Sequence, residues 1–337
     1  MNIGSYYKLK HFIPWTRRNI YKVALLSLLP TILYGVCDVT WIAIPWSIVA
    51  LVGVGAAFIA GFRNTQTYNR LWEARQIWGA IVNDSRAWGM MAKDFVTAAG
   101  TPTVSEELKV IHRRLVYRHI AWLTALRHQL RKPQVWENQN KSYFKEYKNY
   151  YKVPEWESSI EKDMAPYLSQ EDLNYVLTKK NRATQLLSLQ SADLKNLRKQ
   201  NLIEAFPYVD LESVLKDFFA HQGKCERIKN FPYPRQFASI NIYFIWILAL
   251  LVPFALVEPL SGLGVYGVWL TIPVSIIIGW IFTSLDQVGE SSENPFEGGA
   301  NDIPMASLSR TIEIDLREML EETNLPPAVQ SENNILM

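Results

Sequence analysis

Two long stretches of this 337-residue chain lack positive charge altogether. From Val23 to Phe62 there is no Lys or Arg, and Asp38 is the only formal charge. No Lys or Arg occurs between Arg235 and Arg310 either. A soluble domain would have to bury two such apolar hairpins, so the absences point to a membrane. Cysteine is scarce: Cys37 and Cys225, expected on opposite sides of that membrane, exclude a disulfide scaffold. The N-terminus lacks a short apolar core with a small-residue cleavage site, so no cleavable signal peptide is expected. Strand periodicity, internal repeats and low-complexity tracts are missing too. The polar part holds no phosphate loop, no Gly-x-Ser-x-Gly, no metal pair and no acid/base cluster, which weighs against a membrane-bound enzyme. No cofactor is expected. A net charge of only +3 gives no reason to expect nucleic acid.

What is present starts with length. The block from Val23 to Phe62 is about twice what one helix needs to cross a bilayer core. Pro30, Cys37-Asp38 and Pro45 mark where it folds back. Ser239–Val257 and Leu263–Ser284, separated by Glu258–Gly262, are each about one bilayer thickness long. The expectation is an all-α membrane protein with four transmembrane helices in two hairpins. Trp246, Trp269 and Trp280 are candidates for the interfacial belt. The turns Cys37–Thr40 and Glu258–Gly262 contain no Lys or Arg, whereas the opposite flanks are rich in both. The positive-inside rule then puts both termini and the polar middle in the cytoplasm of a multi-pass protein of the cell (inner) membrane. The basic flanks face anionic headgroups of the lipid bilayer. The predicted organisation is an N-terminal segment 1–22, a hairpin 23–62, a helical cytosolic region 63–238, a second hairpin 239–284, and a C-terminal belt, helix and tail over 285–337.

The middle reads as helical. Thr103-Val-Ser-Glu106 resembles a capping box, and Leu108, Ile111, Leu115, Trp122 and Leu126 then form one apolar stripe. Lys109, Arg113, Arg114, Arg118 and Arg127 are read as its solvated basic face. Two further helices are predicted over about 170–200 and 209–222, and one over about 307–322. The five histidines are scattered and read as packing or surface residues, with no metal site.

The second apolar segment carries the functional signal. Val54, Phe58 and Phe62 recur every four residues, close to one helical face, while Gly53, Gly55, Ala56, Ala57, Ala60 and Gly61 leave the other faces small. Small residues let helices approach closely in lipid. Composition alone leaves two readings open. The three side chains either line a hydrophobic constriction that gates by dewetting, or fill the core of a tight bundle. The segment then continues into Arg63, Arg70, Glu73 and Arg75 without a clear break, so one helix is expected to leave the membrane and run on into water.

The run from Phe62 to Gly79, Phe-Arg-Asn-Thr-Gln-Thr-Tyr-Asn-Arg-Leu-Trp-Glu-Ala-Arg-Gln-Ile-Trp-Gly, resembles the bacterial branch of the bestrophin family. So do Asn230-Phe-Pro-Tyr-Pro234, Glu293-Asn-Pro-Phe296, Asn301-Asp-Ile-Pro-Met305 and Arg310-Thr-Ile-Glu-Ile-Asp315, in the same order and between the same spans. The resemblance covers about residues 5 to 325. It implies a homopentameric channel for small inorganic ions, five copies around a central pore, with neck rings at Val54, Phe58 and Phe62. It also implies a cytosolic constriction, for which Leu187 is the chosen candidate. Animal members follow Asn-Pro-Phe with an acidic run that helps clasp calcium. Here Glu297, Asn301 and Asp302 are too few for the six to eight oxygens calcium favours, so no calcium gate is expected. On selectivity, Phe58 matches the anion-conducting animal members, and ring edges turned to the axis favour an anion. Rings turned face-on favour a cation, as conducted by bacterial members with an aliphatic middle ring. Asp38 and Glu258 are candidate attractors of cations and Arg63 and Arg70 of anions. The reading leans to chloride-like anions, with a sodium or potassium channel of the same architecture and a non-conducting scaffold as alternatives.

Overall fold

The computed structural model of the chain describes residues 1–97, 105–264 and 266–337. Among these residues every regular element is helical, and the β pairings are two isolated bridges, Asn2 with Ile335 and Glu332 with Ile335. The helices are α1 Leu9–Gly35, α2 Trp46–Asp94, α3 Glu106–Leu130, α4 Ser142–Tyr147, α5 Pro154–Glu157 and α6 Ile160–Met164. They continue as α7 Gln170–Leu177, α8 Arg182–Lys199, α9 Ala205–Asn230, α10 Arg235–Ser261, α11 Thr271–Ser291 and α12 Met305–Met319. Prolines set three of the long starts: Pro45, Pro234 and Pro304 stand immediately before α2, α10 and α12. Proline's fixed φ and missing N–H suit the point where a helix begins.

Three stretches are long and apolar enough to cross a bilayer: Thr40–Asp94, Arg235–Ser261 and Gly267–Ser291. The first contains α2, a single helix of 49 residues, so the domain boundary expected after Phe62 falls inside one continuous element. α1 was expected to be a fourth span but differs from these three. Lys10, Arg17, Arg18 and Lys22 occupy its first half, and only the part from Val23 onward is uncharged. That part lies against α10 and α11. Gly279 permits the approach to α11, because a Cβ there would come within 2.7 Å of Val23 Cγ1. Trp280 Nε1 donates to Thr16 Oγ1 at 2.9 Å, and Gln287 Nε2 donates to the Trp15 carbonyl at 2.8 Å, which pins α1 further down. α10 runs through Pro259 to Ser261, so Glu258 sits in its last turn and not in the connection predicted there.

The polar region has its own core. Trp78 and Trp88 of α2, Trp122 of α3, Phe218 of α9 and Leu316 of α12 meet in one buried cluster. α3 was read as amphipathic with one solvated basic face. It is buried on every side from Leu115 to Leu126, because α2, α8, α9 and α12 surround it. Arg118 is therefore interior, and it pairs with Asp172 at 2.9 Å and Asp193 at 2.7 Å, with Gln190 beside them. Ser105 caps α3, accepting from Leu108 N at 3.3 Å; Thr103 and Val104 of the predicted capping box lie outside the described residues. The end of the chain, expected as a tail, returns to the body: Ile335 and Met337 are buried with Tyr151 and Val153.

Candidate functional site

The site is built on one face of α2. Its buried side chains, among them Ala56, Ala60, Arg63, Thr67, Ala74 and Trp78, follow the 3.6-residue period along one side. In the membrane half this side packs on Leu248, Val252 and Ala255 of α10. The opposite side is open. Val54, Phe58 and Phe62 are 67 %, 76 % and 45 % exposed in the protomer. Of the two readings left open by composition, packing in the protomer's own core is thereby set aside. Phe62 alone has an aromatic neighbour, Phe237 of α10, with ring centroids 6.2 Å apart. The open stripe continues through Thr65, Asn69, Trp72 and Gln76, all exposed and none charged.

The charged candidates separate into two groups. Asp38, with φ of 52°, is exposed in the connection after α1, and Glu258 is exposed in the last turn of α10. Arg63 is not available to a passing ion. It is buried on the closed side of α2, paired with Asp286 of α11 and with Glu293 at 3.2 Å. Asn241 donates to Asp286 at 2.5 Å and Arg235 pairs with Glu293 at 3.2 Å, so Arg63 sits in a buried network of charges. Arg70 donates to the carbonyls of Ile228 and Phe231 at the end of α9, and it lines a cleft of about 640 Å³ beside Phe62. The acidity of 285–302 was visible in the sequence, but Asp286 and Glu293 as partners of Arg63 were not, since their only signal is a fold that closes over more than 200 residues.

Leu187, the candidate for a cytosolic constriction, lies inside the chain. It is 1 % exposed and belongs to the core of the polar region.

The belt after α11 spends its oxygens internally. Glu297 accepts from the backbone N–H of Asn138 at 2.9 Å and from Asn294 Nδ2 at 3.1 Å. Asp302 accepts from Gly298 N at 2.7 Å and pairs with Arg131 at 3.3 Å. Burial pushes the Glu297 carboxyl well above its usual range, with Asp302 adding to the rise. Burial lifts Asp302 to about 6 against the opposing pull of Arg131. Among the described residues no three His, Cys, Asp or Glu side chains converge as metal ligands. The histidines pack: His119 reaches Ser85 Oγ at 2.8 Å and is held neutral by burial, its value lowered to about 3, while His221 reaches Asp84 at 2.6 Å.

Comparison with known proteins gives this geometry a context. A family model described as Bacterial/Fungal Bestrophin protein matches residues 12–318. The voltage-dependent anion channel-forming protein YneE of Escherichia coli K12 is 28 % identical over 311 residues, which is 92 % of this chain and 86 % of YneE. The Synechocystis voltage-dependent anion channel-forming protein sll1024 is 25 % identical over 286 residues, 85 % of this chain and 80 % of its own length. A crystal structure of a variant bacterial bestrophin homologue from Klebsiella pneumoniae superposes with a TM-score of 0.74 at 25 % identity, covering 90 % of this chain and 98 % of that one. A helical membrane protein with an open α2 face, matched over nearly its whole length, belongs to the bacterial and fungal bestrophin family.

Proposed function

We propose that this protein is an ion channel, not an enzyme, in which five copies surround an axial pore. Val54, Phe58 and Phe62 form its neck, and it favours chloride-like anions. One observation carries the reading: the open, uncharged stripe of α2 that starts at Val54 and runs out of the apolar layer. Stacked apolar rings gate by dewetting, and phenyl edges turned to the axis favour an anion. The names of the relatives, anion channel-forming proteins, support the same choice. The working topology has four spans, α1 included, with both termini and the polar region in the cytoplasm of the cell membrane. Calcium is not required, because Glu297 and Asp302 already have internal partners. A cation channel of the same architecture is the second reading. It is favoured by the fact that, of the four candidate charges, the two freely exposed ones are acidic, Asp38 and Glu258.

Liposomes containing only the purified protein, under a KCl gradient, separate these readings. The expected reversal potential moves toward the chloride equilibrium potential and is unchanged by added calcium. A shift toward the potassium potential selects the cation reading, and absence of flux from intact oligomers selects a scaffold.

A further inference from the structure

Where α1, α10 and α11 emerge from the apolar layer toward the polar region, their ends and the Asn140–Tyr143 segment enclose a cleft of about 360 Å³. Arg18 and Lys22 of α1, Trp246 of α10, Asp286 and Glu290 of α11, and Lys141 line it. Its charges do not cancel. Glu290 is matched by Lys141 and Asp286 by Arg63. Arg18 and Arg17 share a single carboxylate, Glu146, at 2.5 and 3.2 Å. Lys22 has no carboxylate partner among the described residues, and its ammonium stands 5.4 Å from the centroid of the Trp246 ring. The cleft thus retains surplus positive charge and, at Lys22, three donors without an acceptor.

Its position is as telling as its charge. Lys22 is the last charge before the uncharged run that begins at Val23, which sets it at headgroup depth. Beside it in sequence, Tyr21 and Leu25 are exposed, as is Tyr243 next to the cleft-lining turn of α10. An anionic group with apolar tails satisfies both features at once: oxygens on the lysine and arginine, tails on the exposed side chains. We propose that this cleft is a defined binding site for the phosphate-bearing headgroup of a phospholipid, held by Lys22 and Arg18 against Trp246, one per chain. The assignment requires the protein to sit in a bilayer but not that the neck conduct, so failure of ion flux and failure of lipid binding are read separately.

Native mass spectrometry of the purified oligomer tests it, with phosphatidylglycerol, diacylglycerol and inorganic phosphate as separate probes. Wild type is expected to retain one phosphatidylglycerol per chain, to retain no diacylglycerol, and to keep its lipid in millimolar phosphate. Combining Lys22→Gln with Arg18→Gln should lower retention at least about tenfold, and Lys22→Arg should preserve it. Equal retention by the double variant overturns the proposal. Displacement by inorganic phosphate also overturns it, reducing the cleft to a free-anion site. If the double variant does not assemble, Lys22→Gln alone carries the test, because Lys22 is exposed and its recorded contact is the Trp246 ring.

Discussion

Asp302 is a carboxyl whose surroundings pull in opposite directions. Arg131 and the Gly298 amide favour its charge, and complete burial opposes it more strongly, leaving a value of about 6. That lies above the ordinary carboxylate range, so the folded belt holds the proton more tightly than the unfolded chain does. The resulting stability is complete below the unfolded value and is lost as pH rises through about 6; a two-unit rise corresponds to about 3 kcal/mol at most. Thermal unfolding in detergent should therefore show a higher Tm at pH 5 than at pH 7.5. Asp302→Asn should reduce that difference, with the buried Glu297 carboxyl, raised in the same direction, carrying the remainder, and an unchanged slope in the variant would assign the effect elsewhere. Arg63 illustrates what the sequence conceals at this scale. Its neighbours in the chain are a membrane helix and a polar run, so it reads as a mouth charge. Its actual partners, Asp286 of α11 and Glu293 just after it, lie more than 200 residues away.

Among the elements, α2 was legible because a 3.6-residue period survives in plain text. The spacing of Val54, Phe58 and Phe62 put them on one face, and that face is open. α3 was misread because a single stripe assumes one solvent side, whereas a central helix has none. The burial of Leu187 was hidden for a related reason: a register carried over from relatives locates a segment but not the side of the helix that meets the core. If the α2 face forms a dewetted neck, trimming it lowers the barrier to water and ions. Replacing Val54, Phe58 and Phe62 together by Ala is expected to raise flux through liposomes with assembly intact. Assembled oligomers with wild-type flux would give the three side chains a packing role between subunits.

At the scale of the whole chain, apolar side chains are exposed in two settings. Leu25, Leu29 and Ile277 are exposed where lipid can cover them, but Val110, Phe206 and Val209 are exposed on the polar region, beyond the reach of acyl chains. Under the proposed pentamer, these side chains are candidates for the contact between copies. The expected partner is another copy of the chain, and the expected mass in detergent is about 194 kDa of protein, five times the 38.8 kDa of one chain. A monomer, or an even-numbered assembly without a central axis, would remove the basis for an axial path.

The continuity of α2 has a mechanical meaning. At about 1.5 Å per residue, its 49 residues make a rod about 74 Å long. Gly89, near the far end, is the seat on which α12 rests: any side chain there would overlap Leu316 and crowd Met319. One uninterrupted helix thus joins the α12 seat to Phe58, with no loop between them. If the Val54–Phe62 face lines the proposed neck, a substitution at Gly89 is expected to change ion flux from outside the apolar layer.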